Sequence, residues 1–153
     1  FLKNYYIPKK ILDIGSGSGV LSIVAAMLWK ASKIIAVDID LVSVRSSIIN
    51  FKNNNLSTRI KTEVNNGKKI IKNEIKVKSI DLIISNILVA PLKKIAQNSV
   101  SKISNNGFIV LSGVLDRQLN DITSFYSCFG LVICKKIKID GWSTVIMKKI
   151  VNS

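Results

Sequence analysis

The sequence contains no histidine and only two cysteines, Cys128 and Cys134. The absence of histidine excludes nucleophilic sites of the Ser-His and Cys-His types and removes the usual ligand of most zinc sites, so that no metal centre is predicted. The spacing of the two cysteines fits neither a zinc knuckle nor a C-x-x-C redox pair. They are interpreted as small core residues of a protein in a reducing cytoplasm.

Long hydrophobic runs are also missing. No run reaches the roughly 18 apolar residues that a membrane span needs, and the longest, Val20 to Trp29, is interrupted by Ser22. The opening FLKNYYIPKK has no apolar stretch before a small-residue cleavage site, so no secretory signal is predicted. We therefore expect a cytoplasmic protein without a membrane partner. Because residue 1 is Phe1 and not Met, we expect that sequence upstream is missing.

Arginine is scarce although the chain is strongly basic. The formal net charge is +14, yet only three of the 23 basic residues are arginines, namely Arg45, Arg59 and Arg117. Proteins that bind phosphates or read bases favour arginine for its planar, two-pronged guanidinium. The abundant Lys, Ile and Asn therefore favour compositional drift over a dedicated nucleic-acid surface. The charge still permits weak, salt-sensitive attraction to RNA or to a ribosome surface.

What the chain does contain is an alternation of strand-like and helical patterns over 153 residues, a length that predicts one domain. The predicted strands lie at 9–15, 33–40, 58–64, 79–86, 107–114, 131–139 and 143–150. The predicted helices lie at 18–30 and 41–53, from Pro91 to about Ser104, and from a cap at Asp116 to about Cys128. The Asn-Asn-Gly segment at 105–107 predicts a turn. A polar, lysine-rich connection occupies residues 65–78.

This alternation predicts a doubly wound α/β fold, in which a seven-stranded, mostly parallel sheet lies between two layers of helices. Continuous Ile, Val and Leu runs are typical of parallel strands buried on both faces. No helix separates the last two strands, so we expect an antiparallel final pair. In such sheets the ligand binds beyond the carboxyl ends of the strands, where site residues are therefore expected.

A glycine-rich segment, DIGSGSG, follows the first strand and contains Asp13, Gly15, Gly17 and Gly19. Glycines permit a tight turn and let a ligand approach the backbone closely, and the amino end of the next helix offers unpaired N–H groups. No Gly-Lys-Ser/Thr follows, which excludes a P-loop, and Val20 stands where the dinucleotide fingerprint places its third glycine. We predict that Asp13 and the three glycines bind a cofactor.

The second strand ends near two acidic residues, Asp38 and Asp40. An acid at this place, about twenty residues past the glycines, commonly accepts hydrogen bonds from the two ribose hydroxyls of a nucleoside ligand. We assign that role to Asp38, which ends the strand, and interpret Asp40 as the N-cap of the following helix. The alternative for Asp38 is that it is a second cap.

The pattern D-x-G-x-G-x-G, followed by a strand that ends in aspartate, resembles the seven-stranded methyltransferases that use S-adenosyl-L-methionine. Members of that superfamily that act on amino nitrogens often carry Asp or Asn, then Pro-Pro and an aromatic residue, after the fourth strand. Asn86 stands at that place. By resemblance, its side-chain oxygen accepts a hydrogen bond from the substrate nitrogen and aims the lone pair at the methyl group. The alternative is that Asn86 only caps the following helix.

The residues after Asn86 depart from that pattern. Ile87 and Leu88 replace the prolines, and Val89 replaces the aromatic residue, so that stacking on an extruded base is lost. We therefore predict that Ile87, Leu88 and Val89 line a substrate pocket that suits an aliphatic amine better than a nucleobase. An apolar pocket also favours the neutral form of the amine.

The segment SNILVAPL (85–92) is similar to the N-I-L-A-x-P-L segment of the PrmA family, which methylates a large-subunit ribosomal protein. ILDIGSGSGVLSI, VLSGVLDRQ and the Gly141–Trp142 pair resemble other segments of the same family. This resemblance implies cofactor contacts at Gly15, Asp38 and Asn86. It also implies that residues 1–153 are a catalytic domain and that the family's amino-terminal substrate-recognition domain is absent from this chain.

The implied activity is methyl transfer from S-adenosyl-L-methionine to Lys side chains or the α-amine of a large-subunit ribosomal protein. Two alternatives remain. One is an rRNA or tRNA N-methyltransferase of the same fold, which the net charge favours and Val89 disfavours. The other is a non-catalytic module that binds the cofactor without turnover.

Overall fold

The computed structural model describes residues 1–64 and 79–150. Over these residues the chain forms seven strands and four α-helices. The strands are β1 (Lys10–Ile14), β2 (Lys33–Asp38), β3 (Ile60–Val64), β4 (Ile80–Asn86), β5 (Ile103–Leu115), β6 (Leu131–Ile139) and β7 (Trp142–Lys149). The helices are α1 (Val20–Leu28), α2 (Leu41–Asn53), α3 (Val89–Lys102) and α4 (Leu119–Ser127), with short 3-10 turns at Leu2–Asn4 and Asp116–Gln118.

The strands form one sheet in the order β3-β2-β1-β4-β5-β7-β6. The pairs from β3 to β5 are parallel, whereas β7 runs antiparallel to both of its neighbours. The predicted doubly wound sheet with an antiparallel final pair is therefore confirmed. The predicted lysine-rich connection at 65–78 lies outside the described residues.

Two hydrophobic clusters cover the two faces of the sheet. Along β4, Leu82 and Ile84 belong to the cluster that contains side chains of α1 and α2, while Ile83 belongs to the cluster of α3 and α4. All three of these β4 side chains are buried. A central strand covered on both faces explains why this segment is apolar without interruption.

The predicted turn at 105–107 is wrong, because these residues lie inside β5. Ile103 pairs with Ile80, and the next register pair joins Phe108 to Leu82. The intervening residues bulge out of the ladder, and Asn106 takes up the change in direction with a φ of +63°. Asn-Asn-Gly therefore marks an irregularity within a strand here.

Two further expectations are wrong. Asp116 does not cap α4, whose N-cap is Gln118; the Asp116 carboxylate instead accepts a hydrogen bond from Ser143 Oγ on β7. Cys128 and Cys134 are both exposed and not in the core, and neither forms a disulfide. The described residues include no helix of the length and apolarity that crossing a membrane requires.

We expect that Tyr126→Phe lowers the free energy of unfolding by about 1 kcal/mol. The Tyr126 ring is fully buried, and its hydroxyl donates a 2.9 Å hydrogen bond to the Leu92 carbonyl on α3. Urea unfolding measures the change. Tyr5→Phe is the matched control, because Tyr5 is 77% exposed and its loss of a hydroxyl should have no measurable effect. Equal stability of the wild-type protein and Tyr126→Phe would contradict this assignment.

Candidate active site

Three parallel strands bring the predicted site residues to one edge of the sheet. Ile14, the last residue of β1, lies beside Val37 of β2 and Ser85 of β4. Gly15, Asp38 and Asn86 each follow those positions by one residue. The carboxyl ends of β1, β2 and β4 therefore place the glycine turn, the acid and the amide next to one another.

Backbone hydrogen bonds fold the glycine segment into a compact turn. The N–H groups of Gly15 and Ser16 both donate to the Val37 carbonyl, at 2.8 and 3.0 Å, and Gly19 N–H donates to the Ser16 carbonyl at 2.8 Å. Gly15, Gly17 and Gly19 have φ values of +73°, +54° and +85°. Side chains other than hydrogen disfavour this left-handed region, so the turn requires glycine.

The three glycines have different surroundings. A Cβ atom on Gly17 would meet nothing within 4 Å, whereas one on Gly15 would collide with the Ile87 side chain and one on Gly19 with the Phe51 ring. Gly17 therefore faces open space above the turn. Gly19, which was predicted to bind the cofactor, lets α1 pack closely against α2.

Asp38 is half-buried, and its carboxylate orders the turn. Its Oδ2 accepts a 2.8 Å hydrogen bond from Gly17 N–H, and its Oδ1 accepts a 3.0 Å hydrogen bond from Asp40 N–H. Asp40 is the N-cap of α2, as predicted, and accepts from the N–H groups of Val42 and Ser43. Asp38 is thus not a second cap, and each of its oxygens keeps acceptor capacity for a ligand hydroxyl.

Asp13 is fully buried below the turn. Its Oδ2 accepts a 2.7 Å hydrogen bond from Ser22 Oγ, while its Oδ1 and the hydroxyl of Ser16 are buried without a partner in the described structure. Burial raises the pKa of the Asp13 carboxyl to about 6, and the negative charge of Asp38 adds to this effect. Unpaired buried polar atoms are costly and tend to occur at functional sites.

The Asn86 side chain is exposed at the end of β4. None of the hydrogen bonds found among the described residues involves its carboxamide. The N-cap of α3 is Leu88, which makes no side-chain cap hydrogen bond, so the interpretation of Asn86 as a helix cap is wrong. Its oxygen and nitrogen are therefore available to a ligand.

A cavity of about 340 Å³ opens beside this amide and is lined by Asn86, Ser112, Gly113 and Trp142. Ser112 and Gly113 were not predicted as site residues, although the Ser-Gly pair in the fifth predicted strand was a usable signal. Ser112 Oγ lies 2.9 Å from Thr144 Oγ1, which joins β5 to β7 below the cavity.

The three residues predicted to line the substrate pocket differ in position. Leu88 is 66% exposed beside Asn86, and Ile87 is half-buried against Gly15. Val89 is buried in the cluster formed with α3 and α4. Leu88 and Ile87 can therefore border a ligand, whereas Val89 supports them from the core.

The fold closely matches solved methyltransferase structures. A ribosomal protein L11 methylase from Lactobacillus delbrueckii subsp. bulgaricus superposes with a TM-score of 0.84 at 23% identity, over 96% of this chain and 72% of that chain. A methyltransferase from Pyrococcus furiosus superposes with a TM-score of 0.79 at 20% identity, over 98% and 80% of the two chains. Fold and glycine turn together define an α/β domain of the methyltransferase type.

The chain belongs to the ribosomal protein L11 methyltransferase (PrmA) family, whose family model matches residues 3–150. An L11 methyltransferase of Prochlorococcus marinus (strain MIT 9515) is 34% identical over 145 residues, which are 94% of this chain and 47% of that protein. The corresponding protein of Bacillus subtilis (strain 168) is 31% identical over 140 residues, or 92% and 43% of the two chains. The chain thus spans about half the length of the curated relatives it matches.

We expect Asp13→Asn to abolish a loss of stability between about pH 4 and pH 6. The folded-state pKa of Asp13, about 6, lies above the ordinary value of 3.8, so the folded protein binds a proton more tightly than the unfolded chain. The wild-type protein should therefore lose up to about 3 kcal/mol as the pH rises through this window.

Urea unfolding at several pH values measures this slope. Asp40→Asn tests the direction of the pH dependence. Hydrogen bonds lower the pKa of Asp40, so its charged form stabilises the folded protein, and Asp40→Asn should remove a loss of stability that occurs as the pH falls. A slope that is equal in the wild-type protein and Asp13→Asn would disprove the raised pKa.

Proposed function

We propose that this chain binds S-adenosyl-L-methionine at the glycine turn and transfers its methyl group to amino nitrogens of a large-subunit ribosomal protein. The observation that carries the proposal is the exposed Asn86 carboxamide, which has no hydrogen-bond partner among the described residues and ends the strand β4, next to β1 and its glycine turn. Membership in the L11 methyltransferase family supports the substrate class.

The residues present fit this cofactor. Asp38 would hold the ribose hydroxyls, and the open surface of Gly17 would lie against the cofactor. Asp13 Oδ1 and Ser16 Oγ are buried polar atoms that lack a partner among the described residues, and the negative charge of an ionised Asp13 would favour a positively charged ligand nearby. When bound, the cofactor would supply a methyl group bonded to a positively charged sulfur, which would leave as a neutral thioether when an amine nitrogen takes the methyl carbon.

The chain's own residues would orient the amine and favour its neutral form. Asn86 Oδ1 would accept a hydrogen bond from the amine N–H and so direct the nitrogen lone pair, which is catalysis by orientation. A free Lys amine has a reference pKa of about 10.4 and must lose a proton first. The apolar surfaces of Leu88 and Trp142 favour the neutral amine. The residues that line the described cavity include no acid or base, so the proton would leave to water.

We assign cofactor binding and methyl transfer to this chain, as a catalytic domain. Docking of the ribosomal protein is expected to need sequence outside it, since the chain covers 47% and 43% of the two relatives described above. In the decisive experiment, the full-length protein is incubated with methyl-labelled cofactor and with either a large-subunit ribosomal protein or rRNA. Label in the protein supports the proposal, label in RNA overturns the substrate class, and cofactor binding without label overturns the enzyme assignment.

We expect Asp38→Ala to weaken cofactor binding at least about 10-fold, because each hydrogen bond to a charged group contributes about 1.5–3 kcal/mol. Titration calorimetry with S-adenosylhomocysteine measures the dissociation constant. The control is Asp40→Ala, which loses the α2 cap but no ligand contact. If both variants bind as the wild-type protein does, the ribose assignment is wrong.

We expect Asn86→Ala to slow methyl transfer by roughly 10- to 100-fold, because the amine loses its orientation. The cofactor dissociation constant should change less than the transfer rate, since the role proposed for the amide is to orient the substrate amine. Single-turnover kinetics with saturating cofactor separates the two quantities. Asn105→Ala provides an exposed asparagine in the bulge near the amino end of β5 as the control. A wild-type transfer rate in Asn86→Ala would remove the amide from the mechanism.

A further inference from the structure

A bulge interrupts β5 directly beside the proposed active site. From Leu111 to Val114 the register advances by three residues on β5, whereas the paired residues on β7, Val145 and Ser143, differ by two. One extra residue is therefore inserted, and Gly113 within it has a φ of +73°. Bulges of this kind with a left-handed glycine often lie next to active sites, where they redirect a side chain.

Gly113 touches the end of β4. A Cβ atom at this glycine would lie 2.7 Å from Asn86 Oδ1, 3.0 Å from the Ile87 carbonyl oxygen and 3.2 Å from the Ile87 nitrogen. The Ile87 backbone continues from a strand that is paired on both sides, so it has little freedom to move away. Any side chain at position 113 would therefore overlap the space that the Asn86 carboxamide occupies.

A second glycine lies on the other side of the same segment. Gly15 approaches the Ile87 side chain so closely that a Cβ atom there would overlap Ile87 Cγ2. The Gly15 N–H is bound to the Val37 carbonyl at 2.8 Å, which fixes this side of the contact. Asn86 and Ile87 are thus held between the glycine turn after β1 and the bulge in β5.

We propose that Gly113 is a positioning residue for methyl transfer, because a residue without a side chain in the β5 bulge leaves the Asn86 carboxamide its place at the end of β4, while Gly15 contacts the neighbouring Ile87 from the other side. This inference rests on the proposed function. Its physical content is that the amide keeps a fixed distance from the cofactor loop only while position 113 lacks a side chain. The simpler explanation is that the bulge only bends β5, with no consequence for the amide.

The variant Gly113→Ala tests the proposal, with Gly130→Ala as the matched control. Gly130 has a similar φ of +82°, but a Cβ atom there would meet nothing within 4 Å. Both variants carry the strain of a left-handed alanine, and each should lower Tm by at least about 2–4 °C. Only Gly113→Ala adds the collision with Asn86.

In the full-length protein we expect Gly113→Ala to slow single-turnover methyl transfer at least about 10-fold, as a misplaced group does. Gly130→Ala should stay within about 2-fold of the wild-type rate, and S-adenosylhomocysteine affinity should stay within about 3-fold in both. In an Asn86→Ala background, Gly113→Ala should add little further loss. Equal transfer rates in the two glycine variants, or fully additive losses, would overturn the proposal.

A measurement without turnover separates this inference from the proposed function. The side-chain amide NMR signals of Asn86 should shift in Gly113→Ala and remain in place in Gly130→Ala, whether or not methyl transfer is observed. Unchanged signals in Gly113→Ala overturn the positioning role. If Gly113→Ala does not fold, Asn86→Ala/Gly113→Ala should recover folding, and a failure to recover would place the collision at the Ile87 backbone and overturn the role of the amide.

Discussion

The carboxylate of Asp38 connects three parts of the chain that belong to different structural elements. One oxygen accepts from Gly17 N–H and the other from Asp40 N–H. The end of β2, the turn after β1 and the start of α2 are thereby joined in one unit, and Asp40 extends it by capping α2. The turn offers no side chain larger than serine, so backbone hydrogen bonds must hold its shape, and this carboxylate supplies the charged acceptor for them.

The polar groups near the turn differ from those elsewhere in the core. Ser85 and Tyr126 are buried with their hydroxyls donating to carbonyl oxygens, whereas Asp13 Oδ1 and Ser16 Oγ are buried without a partner among residues 1–64 and 79–150. A raised carboxyl pKa and two unsatisfied polar atoms lower the stability of this region. A cluster of unsatisfied polar groups below the glycine turn is the pattern expected where a charged ligand supplies the missing interactions.

The fold also explains part of the unusual lysine content. β6 is an edge strand and carries the exposed residues Lys135, Lys136 and Lys138. An unpaired edge exposes N–H and C=O groups that can pair with another chain, and lysines along it oppose such pairing by repulsion and solvation. These lysines can oppose association at this edge, a role that requires no nucleic-acid partner.

Local patterns in the sequence determined much of this protein. Glycines that need left-handed φ values, an aspartate that ends a strand, the Asp40 cap and the amide after β4 are each recognisable within a few residues, because turns and caps are short-range structures. The order of the strands, the Asp116–Ser143 contact, the burial of Val89 and the approach of Gly113 to Asn86 were not recognisable in this way. Only the tertiary structure decided these, because they depend on the register between strands that are far apart in the chain, and no local periodicity encodes that register.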